Sequence, residues 1–389
     1  MSSKLRLGII SDCIHFQHPD GRFGTETHIL LHQIEALAFY FSEVTLCCPV
    51  IAFDDKKVAT FYSINNIKII AVPNVGGDSI SDKLKLFSTI PKWCNAFKKV
   101  NKQTDIVYQR FPNNLNIPGF FYFKLKRKKT FATYTGTWKP YKSEPATYSF
   151  QRWLLTHFFR GPVWAYINTN EENTRIHAGF SPSYQKKVWN EETTQVEERI
   201  KKWQTEKIST LKLITVGALV ANKNQQLILN ACLQLKKINI DFTLTIVGDG
   251  MLKEQYQNFI QQHQLQQQIF LVGKKTSEEL RILYRANDFV VQAPINEGFG
   301  KVPIEGFFHG LIPVLSNLTM ANAMTDNSTR GFTFNINSEE DLVKTVSSIY
   351  KEQNNLSNII LAGRSYAASQ TLEAWAEEYY KTVTAYYNL

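Results

Sequence analysis

Short apolar runs alternate with amphipathic helical stretches along the whole chain, and no other feature restricts its fold as strongly. Leu5–Ile10, Val44–Cys48, Ile67–Val72, Asp105–Tyr108, Thr130–Tyr134 and Val163–Asn168 have the length and apolar content of strands. Helical patterns lie between them, as in Thr25–Phe41 and Lys83–Val100. The alternation starts afresh with apolar runs at Leu211, Phe242, Ile269, Asp288 and Ile312. Strands interleaved with helices pair in parallel and carry helices on both faces, so the expected class is α/β with doubly wound parallel sheets. At 389 residues, 43% of them hydrophobic, the chain exceeds one core and can fill two. The polar stretch Glu191–Lys207 is the expected junction, giving a first domain over 1–195 and a second over 208–371. An aromatic-rich helix is expected over Leu372–Tyr387.

No apolar run is long enough to span a bilayer, and Leu5–Ile10 is too short for a secretory core, so a cytoplasmic chain is expected. The five cysteines are odd in number and three, Cys47, Cys48 and Cys232, fall inside apolar runs, which reads as reduced core residues. No Cys/His spacing suggests a metal site. The formal charge is +10, and the excess can be located: between Ser81 and Thr130 twelve Lys and Arg, from Lys83 to Lys129, face only Asp82 and Asp105. A solvated helix face is one reading of such a segment. The other is attraction to an anionic membrane, at roughly 1 kcal/mol per basic residue near the surface. Trp93, Phe97, Phe120, Phe121, Tyr122 and Phe123, interleaved with these charges, would suit insertion at a headgroup boundary. No nucleic-acid recognition motif accompanies the charge.

Chemistry concentrates in the run from Asn296 to Glu305. Pro294 bars continuation of the apolar strand at Asp288–Val291, and Val302, Ile304, Phe307 and Phe308 have the spacing of a buried helix face that ends at Gly310. Glu297 therefore lies in a strand-to-helix loop and Glu305 about two turns inside the helix, both near the carboxyl edge of a parallel sheet, where open α/β sheets bind ligands. Gly298 and Gly300 let the backbone approach a ligand, and the first amides of the helix attract an anion. A carboxylate taken from water needs a partner, and a sugar hydroxyl is a good one.

The run resembles the glutamate-x7-glutamate signature of retaining nucleotide-sugar glycosyltransferases of the GT-B fold, family four. The resemblance extends through the second half of the chain: Leu213–Asn224 looks like that family's strand, phosphate loop and lysine, Leu244–Gly250 like its next strand and turn, Ile269–Gly273 like the one after, and Tyr284–Asp288 leads into the carboxylate pair. It implies two Rossmann-like domains facing a central cleft, with residues 372–389 crossing back to the first. It also implies that Gly217, Lys223 and Gly248 belong to the donor site, with Lys223 neutralising a diphosphate. Glu297 would bond a hydroxyl of the donor sugar, the amides of Phe299, Gly300 and Lys301 would hold sugar and diphosphate with Gly298 in the same donor loop, and Glu305 would take the ribose hydroxyls. In the first domain Gly21–Glu26 is similar to the family's glycine loop, so Arg22, Gly24 and Thr25 are candidates for an acceptor or diphosphate loop. The residue reading alone also allows a surface turn before a helix capped by Thr25.

Three departures bear on these roles. Phe23 stands for one of two adjacent glycines, Ala218 stands where relatives have an arginine, and Ala132–Trp138 lacks the histidine that many relatives place near the reacting carbon. Tyr134, Thr135 and Thr137 have polar groups for a sugar and Trp138 a face for stacking, but none is a convincing base. The implied retaining mechanism tolerates that lack, because the leaving diphosphate accepts the acceptor's proton and charge stabilisation is the main demand. No Asp-x-Asp occurs, which points away from a metal-bridged nucleotide and to a site that needs no cofactor. The expected function is sugar transfer from a nucleoside-diphosphate sugar to a glycan or lipid-linked hydroxyl. Two other readings stay open: a catalytically silent nucleotide-sugar-binding or scaffold protein, and a nucleotide-sugar epimerase of the same fold.

Overall fold

The computed structural model describes residues 4–54, 59–75, 80–141, 144–168, 175–353 and 355–389, with backbone alone over 80–87. Lys83 and Lys85 of the basic segment therefore have side chains outside the described residues. The chain divides into two compact units, Met1–Pro182 with Leu372–Leu389, and Ser183–Thr371.

In the first unit the elements run β1 (Arg6–Ile10), β2 (His15–Gln17), β3 (Phe23–Thr25), α1 (His28–Ala38), β4 (Glu43–Ala52), β5 (Thr60–Phe61), β6 (Ile67–Val72), α2 (Ile80–Gln103) and β7 (Ile106–Phe111). They continue with α3 (Asn116–Leu125), β8 (Lys129–Thr137), α4 (Ala146–His157), β9 (Val163–Tyr166) and β10 (Ile176–Ala178). The sheet order is β10-β9-β8-β7-β1-β4-β2-β3-β5, with β6 also on β4. All pairs are parallel except the small ribbon β2–β3–β5, whose short strands carry no apolar alternation that would announce them. Gly8 in β1 is a packing requirement, since a Cβ there would meet Val100 of α2 at 2.6 Å.

One face of this sheet packs on α1 and the other on α2 and α3. The final helix, Leu372–Tyr387, belongs to this unit: Trp375, Ala376, Tyr379 and Val383 are buried on the α1 face. Tyr379 stacks on Trp164 with centroids 3.9 Å apart, and its hydroxyl lies 3.1 Å from Thr133 Oγ1. Tyr387 donates to the carbonyl of Thr130 at 2.7 Å and accepts from its amide at 3.1 Å, which fixes the helix end on β8.

The second unit opens with α5 (Lys186–Glu191) and α6 (Thr193–Thr205), followed by β11 (Leu211–Val216), α7 (Gln225–Lys237), β12 (Phe242–Val247), α8 (Lys253–Gln262), β13 (Ile269–Gly273) and α9 (Ser277–Ala286). Then come β14 (Phe289–Gln292), α10 (Lys301–Phe308), β15 (Ile312–Ser316), α11 (Thr319–Thr325), β16 (Phe332–Phe334), α12 (Glu339–Glu352), α13 (Leu356–Ala368) and, returning to the first unit, α14 (Leu372–Tyr387). The sheet order is β13-β12-β11-β14-β15-β16, parallel throughout. The cap of α9 is legible in sequence: Thr276 accepts from the Glu279 amide at 3.3 Å and the Glu279 carboxylate accepts from the Thr276 amide at 2.9 Å.

Two sequence expectations need correction. Glu191–Lys207 is not a linker but the helices α5 and α6, and the unit boundary falls at Pro182/Ser183 rather than at residues 195–208. The stretch is polar yet amphipathic, with Val196 and Ile200 buried against the core of the second unit. The aromatic wedge is also misplaced, because Trp93, Phe97, Phe120 and Phe123 are core residues at 3% exposure or less. Of the six expected aromatics Phe121 is exposed, and the other exposed apolar side chains beside it are Leu125 on α3, Phe150 and Trp153 on α4 and Phe158 just beyond it.

Candidate active site

In the second sheet the chain proceeds outward from β11 to β12 and β13 on one side, and from β14 to β15 and β16 on the other. The direction of winding therefore reverses between β11 and β14, and the loops leaving these two strands diverge at the carboxyl edge to form a crevice. Both loops carry residues singled out from sequence.

After β11, Gly217 lies against the stem of Lys223, whose Cγ, Cδ and Cε would each be 3.7 Å from a Cβ there. Gly248, after β12, has φ +144°, and a Cβ would fall 1.9 Å from the Gly217 carbonyl oxygen. Only glycine lets these loops lie so close, so Gly248 shapes the phosphate-loop candidate from behind. A 3-10 turn over Ala221–Lys223 then leads into α7.

Asn222 stitches this loop to the one after β14. Its carbonyl accepts from the Ile295 amide at 2.9 Å, its Oδ1 accepts from the Asn296 amide at 3.2 Å, and its Nδ2 donates to the Asn296 carbonyl at 2.7 Å. The stitching brings Lys223 to Glu297, and Lys223 Nζ donates to Glu297 Oε2. Both side chains keep about a quarter of their surface accessible, 27% and 28%. Phe299 is buried at 5% and pins the loop, Gly298 precedes it, and Gly300 turns the chain into α10 with φ +78°. Lys301 is the first residue of that helix.

Because α10 starts at Lys301, Glu305 lies just over one turn inside it rather than two. It is 7% exposed, and its neighbours are hydroxyls: Ser183 donates to Oε1 at 2.6 Å and Tyr284 to Oε2 at 2.8 Å. A carboxylate offers about four lone-pair sites, so each oxygen retains one acceptor position. Burial, and then the charge of Glu305, push the Tyr284 hydroxyl well above its ordinary range and keep it a donor.

Tyr284 rests on a second layer. His309 stacks on it with centroids 5.3 Å apart, and His309 Nδ1 lies 3.1 Å from Glu192 Oε2 without the alignment of a hydrogen bond. Glu192 is fully buried and accepts from Arg281 Nη2 and Arg285 Nη2 at 2.6 Å each and from Arg285 Nε at 2.9 Å. Burial works against its charge, but His309, Arg285 and Arg281 outweigh that and hold its carboxyl well below the usual range. Sequence reading assigned no role to Asn222, Ser183, Tyr284 or Glu192. Asn222 sits beside Lys223 and Tyr284 opens a noted run, so both were within reach, whereas Glu192 lies in a stretch whose polarity reads as a linker.

In the first unit the candidates have structural partners. Arg22 Nε donates to Asp20 Oδ2 at 2.7 Å and its guanidinium lies 4.9 Å from the centre of the Phe61 ring. Gly24 belongs to β3, where a Cβ would meet the Thr60 carbonyl at 2.5 Å. Thr25 does not cap α1, whose N-cap position is Thr27; its buried hydroxyl donates to the Ile14 carbonyl at 2.9 Å. Tyr134 and Trp138 are buried at 0% and 8% and pack edge to face, so Trp138 offers no face for a sugar. Thr135 Oγ1 donates to the Phe111 carbonyl at 3.0 Å.

Among the described residues no three His, Cys, Asp or Glu side chains converge as a metal site, and no helix is long and apolar enough to cross a membrane.

Residues 196–366 match the family described as glycosyl transferases group 1. An uncharacterized glycosyltransferase of Methanocaldococcus jannaschii is 35% identical over 91 residues, 23% of this chain and 24% of that protein. The chain thus aligns with about a quarter of the length of the curated relatives it matches. Two solved structures share the fold over nearly the whole chain. A glycosyltransferase from Rickettsia africae has a TM-score of 0.67 at 16% identity, covering 99% of each chain. The HepE protein of Anabaena, solved with UDP and glucose, has a TM-score of 0.70 at 12% identity, covering 98% of this chain and 100% of its own. Two parallel-sheet units of this kind are the GT-B fold, and the unit that carries Lys223, Glu297 and Glu305 is a member of the group 1 glycosyl transferase family.

Proposed function

We propose that this chain is a retaining glycosyltransferase that moves a sugar from a nucleoside-diphosphate sugar to a hydroxyl of a glycan or lipid-linked acceptor, without a metal. The observation that carries the reading is the meeting of Lys223 and Glu297, with Glu305 beside them on α10, at the reversal point of one parallel sheet. Lys223 and the first amides of α10 would stabilise charge on the leaving diphosphate, the role that matters most when that group departs before a nucleophile arrives. Glu297, released from Lys223 as the diphosphate takes the lysine, would accept from a sugar hydroxyl. Glu305 has two acceptor positions left for the vicinal diol of a ribose. The diphosphate oxygen would then take the acceptor's proton on the same face of the sugar. UDP is the nucleotide to try first, because HepE binds it.

A cytoplasmic protein at the face of an anionic membrane is part of this reading. Between Ser88 and Arg160 fourteen Lys and Arg face two carboxylates, and both are engaged, Asp105 by Arg6 and Glu144 by Arg152. Beside this charge the exposed rings are continuous: Phe150 stacks on Trp153 at 5.9 Å, Trp153 meets Phe158 at 4.9 Å, and Lys124 Nζ lies 4.8 Å from the centre of Phe158. Rings and cations so mixed suit a headgroup boundary. Vesicle binding should weaken with salt and with Trp153→Ser; binding indifferent to both would remove this part of the reading.

A thermal-shift titration with UDP and chelator, using the unaltered chain and Glu305→Ala, tests the donor site. Stabilisation lost in the variant supports the reading. No response to any nucleoside diphosphate at millimolar concentration favours a silent protein of the same fold.

A further inference from the structure

The first sheet has a reversal point of its own. The chain moves from β1 to β4 and β6 on one side and from β7 through β8, β9 and β10 on the other. Ile10 is paired with Gln109, so Ser11 and Asp12, just past β1, lie at the carboxyl edge beside Arg110 and Phe111, the last residues of β7, which still pair with Thr133 and Tyr134 of β8. Asp12 and Arg110 therefore occupy, in this unit, the places that the Lys223 and Glu297 loops occupy in the other.

Arg110 shares its face of β7 with Tyr108, whose ring is in the core beneath α1. Tyr108, Tyr166, Tyr379 and Cys13 lie near it, as do Tyr62 and Asp12. Among the described residues its guanidinium makes one hydrogen bond, from Nη1 to Gln33 Oε1 at 3.1 Å, and no ion pair. Gln33 is 3% exposed, and its amide nitrogen is committed to Ser181 Oγ and the Pro182 carbonyl at 3.3 Å each. That fixes the carbonyl that orients Arg110. Asp12 feels the charge of Arg110 but makes no ion pair with it. A guanidinium has five donors in a fixed fork, and a half-buried one that makes a single hydrogen bond keeps donors for an oxyanion.

We propose that Arg110 and Asp12 form an anion site in the first unit, in which Arg110 holds a phosphate or carboxylate group of the acceptor and Asp12 accepts from a neighbouring hydroxyl. The word acceptor rests on the transferase reading; the anion site itself does not. The reading narrows the acceptor to one carrying its own negative charge.

The test is a titration of the full chain with inorganic phosphate and, separately, with UDP, using Arg110→Met, Arg110→Lys and Lys223→Met. Phosphate should bind the unaltered chain and Lys223→Met alike, at least tenfold more weakly to Arg110→Met, and with intermediate strength to Arg110→Lys. Without ligand, Arg110→Met should melt no lower than the unaltered chain, since it removes an unpaired charge. Phosphate binding that survives Arg110→Met, or is lost only in Lys223→Met, assigns the anion to the second unit and overturns the proposal. So does an Arg110→Met chain that melts lower or fails to fold, which would make the arginine structural. A UDP response with no phosphate response leaves the donor reading standing and removes this one; phosphate binding through Arg110 with no UDP response does the reverse.

Discussion

At the reversal point of the second sheet a cation and a carboxylate are joined, Lys223 to Glu297, whereas at that of the first sheet Arg110 and Asp12 make no ion pair. The difference follows from what stands behind each. In the second unit Asn222 sews the two loops together, and the layer Tyr284–His309–Glu192 fixes Glu305 on the adjoining helix. In the first unit the loop after β1 is tied to the β2–β3 ribbon through Thr25, and Gln33 alone turns Arg110. One topology can thus supply a closed pair, neutral until a ligand separates it, or two open charges that wait for one.

The largest effect should come from the layer behind the closed pair. Glu192→Ala removes the buried carboxylate that Arg281 and Arg285 share, leaving Arg281 to Glu191 and Glu278, and should cost about 3 kcal/mol in chemical denaturation; a loss below about 1 kcal/mol would break the claim that this site is braced from behind. The native carboxyl of Glu192 is held below its ordinary value of 4.5. Its stabilisation should therefore be fully present above that pH and fade as pH falls below it.

Next in size is Lys223→Ala, which should lower the release of nucleoside diphosphate from the donor by about 10²–10³-fold. Turnover that survives would show that the closed pair is structural. The same substitution should change the stability of the ligand-free chain by less than about 1 kcal/mol, because the pair is partly in solvent. A larger loss would mean that Lys223 and Glu297 act as a brace and not as a latch.

The alternation of apolar runs and helices placed most strands of both sheets within a few residues, because parallel strands buried on both faces leave a continuous apolar signature. Phe289–Gln292, the glycine turn and α10 follow from Pro294, Gly300 and the spacing Val302–Phe308, all local features. The ribbon β2–β3–β5 left no such trace, because its strands are very short and β3 finds β5, and β2 finds β4, across tens of residues.

Fold class and the order of the motifs, including the loop that carries Glu297 and the helix that carries Glu305, are legible in the chain alone, since they depend on periodicity, glycine and proline. Packing sets which polar stretches are buried and which aromatics are not. Glu192 reads as linker but lies at zero exposure, while Phe97 reads as a membrane wedge but is core. It also places Arg110, one of twelve basic residues in its segment, at a sheet's reversal point, where among the described residues its guanidinium makes a single hydrogen bond. Burial and partnership depend on what the rest of the chain brings alongside a residue, and neither periodicity nor composition encodes that.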